Sequence, residues 1–187
     1  MSSSDRPVTQ LDKTDVLAGL FASWDALERL VSGLTPQQWQ MPTPLPGWDV
    51  HAVVAHVIGT ESALLGIATP ESDTDVSALE HVRNDVGALN ERWVRHLRSE
   101  SGEDLVERFR AVTADRRAYL TDLADAEWNA PTPTPVGPDS YGRFMRVRVF
   151  DCWMHEHDIR DALRRPASDA ELAGPAARLA LDEMAAG

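Results

Sequence analysis

Two stretches hold the residue types that could do chemistry. The first, RVFDCWMHEHDIRDALRRP, runs from Arg148 to Pro166; the second, LPGWDVHAVVAHVIGTE, runs from Leu45 to Glu61. In the first, Asp151 and His155 are four residues apart. On a helix that spacing puts them one turn apart on one side, where both can reach a common point. Carboxylate and imidazole are both ligands for zinc and similar divalent metals. The second stretch offers His56, flanked by Ala52, Gly59, Thr60 and Ala63. If its helix faces the first, His56, Asp151 and His155 make a mononuclear metal site with room for water or substrate. Spacing alone favours a more ordinary arrangement: Asp151 paired with Arg148 or a neutral His155, and His56 as a satisfied core histidine.

The neighbours of these residues have lesser roles. Asp158 can accept a bond from the ring nitrogen of His155 that faces away from a metal. His157 is the substitute ligand should Asp151 fail. Trp48 and Trp153 are the tryptophans expected to line the pocket. His51, His81 and His96 read as solvated, and Glu61 as a surface residue or core-edge ion pair. Cys152 is the single cysteine, so no intrachain disulfide can form, and inside a helix it reads as a small apolar residue.

The elements that must position the site are helical. Apolar residues recur at helical period over Lys13–Ser32, from Asp49 to Ile67, over Val76–Arg98 and over Glu103–Leu123. The ligand helix covers Arg146–Pro166, with Ser140 able to cap it, and a last helix spans Ala170–Met184 behind the capping box Ser168–Glu171. Prolines at 42, 44 and 46 fix the entry to the second of these helices. A proline-rich loop at 129–138 is long enough to border a site. No segment alternates as a strand of useful length. The expected fold is all-α: an antiparallel four-helix bundle with accessory helices, one domain over 1–187, with residues 1–11 frayed.

Charge and motifs narrow the function. The chain has 187 residues, 30 acidic against 18 basic, for a formal net charge of −12. That argues against nucleic acid or an anionic membrane as partner. No apolar run is long enough to span a membrane, and the N-terminus has no signal-peptide core, so a cytoplasmic location is expected. Phosphate-binding loops, dinucleotide fingerprints, serine-hydrolase elbows and Cys-x-x-Cys pairs are lacking.

Together the two stretches resemble the DinB-like superfamily, and within it the actinobacterial mycothiol-dependent maleylpyruvate isomerase N-terminal domain group. The resemblance implies a four-helix bundle binding a divalent metal, usually zinc, with nickel as the other candidate. Its ligands would be His56, Asp151 and His155. Asp151 stands where the family pattern has Glu or His, one methylene longer. The metal would then shift toward the late helix, gain a water or bind weakly. The resemblance further implies thiol chemistry, with mycothiol as co-substrate: a metal-held thiolate attacks a small electrophile in an S-transfer or isomerisation, and no protein nucleophile is needed. The isomerase has a further C-terminal domain, and this chain is expected to correspond to the N-terminal part of such a protein. The competing expectation is a non-catalytic bundle that binds a ligand or partner. Homodimerisation through bundle helices is compatible with either.

Overall fold

Side chains just ahead of the long helices decide where those helices begin. In the computed structural model, which describes residues 6–187, Asp12 caps α1 (Lys13–Val31) and Asp49 caps α3 (Val50–Leu64). Thr35 caps the short α2 (Pro36–Trp39) between them. Asn84 caps α4 (Asp85–His96), Ser101 caps α5 (Gly102–Asp122) and Ser140 caps α7 (Tyr141–Leu163). Each accepts a hydrogen bond from a backbone N–H of the first turn, which would otherwise lack a partner. Short helices α6 (Asp125–Trp128) and α8 (Asp169–Leu172) and a terminal α9 (Pro175–Ala186) complete the set.

The chain is an all-α four-helix bundle, as its periodicity requires. Its four long members are α1, α3, α5 and α7; α1 and α3 each pack against both α5 and α7. Apolar residues at helical spacing, among them Leu20, Trp24, Val53, Leu105, Leu120, Met145 and Val149, close the core between them. Helix α9 lies across α1 and α7, and α4 lies on α3. Glu183 fastens α9 by accepting from Arg143 and Arg146 of α7. The proline-rich loop forms only a two-residue hairpin, β1 (Pro131–Thr132) with β2 (Asp139–Ser140).

The expected helix over Val76–Arg98 is broken. A 3-10 turn at Val76–Ala78 is followed by irregular chain, and α4 starts only at Asp85. Asp75 and Asn84 each cap a separate start, and a side chain that bonds the backbone of the next turn competes with continuing the previous one. The break frees His81 from a helix surface. At the other end, residues 1–5 of the stretch expected to fray lie outside the described residues. Thr9 within that stretch is anchored: its backbone N and Oγ1 donate to Asp139, and its carbonyl accepts from Ser140 Oγ.

Gly59 sets how closely α4 can approach α3. A Cβ there would lie 2.4 Å from Trp93 Cγ, well inside contact distance. Gly59→Ala should therefore push Trp93 off α3 and cost about 1–3 kcal/mol. Thermal unfolding should show a loss of roughly 2–12 °C; an unchanged midpoint would mean that Trp93 does not seat on this glycine.

Candidate metal centre

His56 projects from the middle of α3, and Asp151 and His155 from successive turns of α7. Asp151 Oδ2 lies 3.2 Å from His56 Nε2, and Asp151 Oδ1 lies 3.2 Å from His155 Nε2. One donor atom from each of the three falls within 4.8 Å of the others, the one such group among the described residues. A tetrahedral zinc with bonds of about 2.0–2.1 Å would hold its nitrogen and oxygen donors roughly 3.3–3.4 Å apart. The short aspartate reaches across from α7 to α3, with one oxygen facing each imidazole. Two imidazoles and a carboxylate suit zinc or nickel, and the residues present fit such an ion.

Asp158 stands behind His155, with Oδ2 3.3 Å from Nδ1. This orients the ring so that Nε2 faces Asp151. His56 Nδ1 is buried and has no such partner. Packing holds its ring instead: the indole of Trp48 lies 5.1 Å away and the ring of His155 4.8 Å away, centre to centre.

The two histidines titrate in opposite directions. Burial lowers the pKa of His56, and its bond to Asp151 only partly opposes this. Burial also disfavours the charged form of His155, but the carboxylates of Asp151 and Asp158 outweigh it and raise its pKa to about 9. Burial would raise Asp151, yet the charges of His155 and Arg148 hold it well below the ordinary carboxylate range. Without metal, the site at neutral pH is thus a His155 imidazolium facing an Asp151 carboxylate.

A pH dependence follows. An unfolded histidine titrates near 6.5, so the higher folded value stabilises the metal-free protein fully below that pH. The contribution is lost as pH rises through about 9. A metal must displace the same proton. Zinc binding at pH 7.5 should release close to one proton per chain, read by titration calorimetry in buffers of different ionisation enthalpy. Affinity should climb from pH 6.5 to 9. Release of no proton would show that His155 is not a ligand.

Behind the site runs a line of buried charge. Arg148 Nη1 donates to Asp151 Oδ2 at 2.6 Å, and Arg148 Nε donates to Glu61 Oε1 at 2.9 Å. Glu61 Oε2 accepts from Arg116 Nε at 2.9 Å. Arg116 and Glu61 have no exposed surface, and Arg148 is buried beside them. Glu61 is therefore a central core residue, not the surface or core-edge residue expected. The pairing of Asp151 with Arg148 does form, alongside the convergence of the three metal-type donors. Arg148 occupies one side of the carboxylate and fixes its plane, while Oδ1 stays turned toward His155. Cys152 beside it is buried, and burial pushes its thiol up to about 12. It stays protonated and behaves as the apolar residue it was expected to be.

The three donors form part of the wall of a cavity of about 800 Å³, floored by the Leu45–Trp48 turn and roofed by Glu80–Arg83. Trp48 lines it as expected. Trp153 does not; it lies edge-on to His157, 4.5 Å away centre to centre. His157 lines a separate surface hollow with Arg160 and Arg164 and is not in reach of the three donors. His81, expected to be solvated, lines the cavity. Glu91 holds this wall: its Oε2 is 3.0 Å from His81 Nε2 and accepts from Trp48 Nε1 at 3.0 Å. Gly47, at φ +78°, makes the turn beneath, where a Cβ would meet His81 Nδ1 at 3.0 Å. His51 is also buried, against Glu100 O. The placement of His81 depends on the break before α4, which periodicity could not reveal.

The fold and site together define a DinB-like helical bundle. The chain belongs to the mycothiol maleylpyruvate isomerase N-terminal domain family, which it matches over residues 20–160. Two uncharacterized proteins from strains of Mycobacterium tuberculosis are 26% identical over 162 residues, covering 84% of this chain. The chain spans 60% of the length of those relatives. The crystal structure of the mycothiol-dependent maleylpyruvate isomerase superposes with a TM-score of 0.67 at 17% identity, over 94% of this chain and 69% of that one. The colibactin self-resistance protein in complex with double-stranded DNA superposes with a TM-score of 0.58 at 15% identity, over 83% and 97%. At these identities the structures show a shared fold. No helix among the described residues is long and apolar enough to cross a membrane.

Proposed function

We propose that this protein is a metal-dependent thiol transferase or isomerase-like enzyme acting with a low-molecular-weight thiol of the mycothiol type. The observation that carries the reading is the convergence of His56, Asp151 and His155 on the wall of a cavity large enough for a thiol of that size. Family membership supports the choice of thiol. Bound at these residues, a divalent metal, zinc by preference, would supply a Lewis acid that keeps a thiol deprotonated at neutral pH.

The chain's own residues then have distinct tasks. Arg148 and Asp158 hold Asp151 and His155 in place. Trp48 and the buried face of α3 limit access of water to His56. His81 and Asn90 give the cavity polar surface for a hydroxyl-rich thiol. With its thiol pushed up to about 12, Cys152 is not a nucleophile, so the attacking sulfur comes from the small molecule. The excess of acidic residues disfavours a nucleic-acid substrate.

The test is conjugation of mycothiol to a small electrophile by the zinc-loaded protein, followed by mass spectrometry beside the His56→Ala variant. A rate at least about 100-fold above the variant is expected, since losing a ligand should cost more than losing a partner behind one. Equal rates would sink the reading. A second reading rests on Arg148: because it already neutralises Asp151, the site is electrostatically complete as a metal-free ion-pair cluster. A bundle that only binds a ligand or partner would carry no metal and would unfold identically with and without chelator.

A further inference from the structure

Behind the candidate metal centre lies a second space that the first cavity does not include. It measures about 300 Å³ and is framed by α3, α4, the proline-rich loop and α7. His56, Asp151 and Asn90 line both spaces, so the three-donor cluster forms part of the partition. The surfaces differ. The larger cavity carries Glu80, His81 and Arg83. The smaller is walled by Leu64, Val86, Leu89, Trp93, Phe144 and Val147.

Two features limit what can occupy it. The formal charges at its wall, beyond the histidine, are Arg148 and Asp151. They are already paired with each other, and Arg148 is also paired with Glu61. Without metal, an anion entering would find no unpaired cationic side chain at this wall and would lose its hydration. Meanwhile Val86 and Leu89, which line this wall, are 51% and 43% exposed overall. That apolar surface is left to water unless something apolar covers it.

We infer that this chamber binds an uncharged, largely apolar molecule of roughly ten to fifteen non-hydrogen atoms, a size that fills about 300 Å³ at interior density. Asn90, at the junction of the two spaces, offers a donor and an acceptor for one polar group. On the thiol-transfer reading, on which only its role as co-substrate rests, this molecule is the electrophile. It reaches the reacting centre from the side opposite the thiol. A dicarboxylate would be a poor occupant.

The test needs no turnover. Binding of 4-phenyl-3-buten-2-one, an uncharged enone, is compared with binding of cinnamate, its carboxylate counterpart of equal size, by saturation-transfer NMR and calorimetry. Both are added without thiol, to zinc-loaded and to chelated protein. The enone should bind once per chain in both forms; in the chelated protein, where no metal can hold its carboxylate, cinnamate should bind at least about tenfold more weakly. Ala63→Phe, at an exposed position that lines the chamber, should fill it and weaken the enone at least about tenfold while leaving thermal unfolding unchanged. Leu89→Lys, at the exposed rim, should do the same. Equal affinity for the two compounds in the chelated protein, no binding of the enone, or wild-type binding by both variants would overturn the inference. Enone binding by a protein that takes up no metal would leave it standing and remove the thiol-transfer reading.

Discussion

Replacing His155 with alanine is expected to abolish metal binding. The protein purified without a histidine tag should carry about one zinc or nickel per chain by plasma mass spectrometry. The variant should carry none, its affinity falling by at least about 100-fold, since mutating a partner behind a ligand already costs 10–100-fold. His155 is the candidate ligand best prepared by its surroundings: Asp158 holds Nδ1 and so aims Nε2 at Asp151. Asp158→Asn should weaken binding within that 10–100-fold range. His157→Ala should change nothing, because His157 packs on Trp153 outside the site. This series separates a built centre from adventitious metal on surface histidines. Metal retained in His155→Ala, or absent from wild type after zinc is added, would sink the three-ligand reading.

The second large effect concerns stability. Glu61→Ala should cost about 3–5 kcal/mol, because it leaves the buried guanidinium of Arg116 without its carboxylate and takes one of two from Arg148. For a chain of this length that is a fall of roughly 6–20 °C in thermal midpoint. Arg116→Met should cost less. It leaves Glu61 bonded to Arg148 and puts an apolar side chain of similar length beside Met145, on whose sulfur Arg116 now rests. If both variants lost the same amount, the network would be acting only as packing. Glu61→Ala should also loosen Asp151, since Arg148 would keep one of its two carboxylate anchors. Weakened zinc affinity in that variant, at temperatures where it is fully folded, would report this directly.

The particular residues show how far the primary structure reaches. The positions of the long helices followed from apolar periodicity and from capping side chains such as Asp49 and Ser140, because both are local properties of consecutive residues. The Asp151–His155 pair was legible for the same reason: four residues on a helix is a fixed distance. His56 could be placed only conditionally, since nothing local to α3 states which helix it faces. The break before α4 was missed because periodicity averages over a window, while Asp75 and Asn84 act at single positions. With it went His81, and the part played by Glu91 in fixing both His81 and Trp48. Trp153 was misplaced because a tryptophan between two candidate ligands in sequence need not lie between them in space.

What the sequence by itself determined is the four long helices, the all-α class and the two donors one turn apart on a single helix. These depend on contacts within a few residues. The tertiary structure alone decided that α3 and α7 lie close enough for an aspartate to reach His56. It also decided that Glu61 is enclosed between Arg116 and Arg148, and that the donor cluster separates a polar cavity from an apolar chamber. Each of those depends on residues 55 to 95 positions apart. Their distance is set by how whole helices pack, not by any property the chain carries locally.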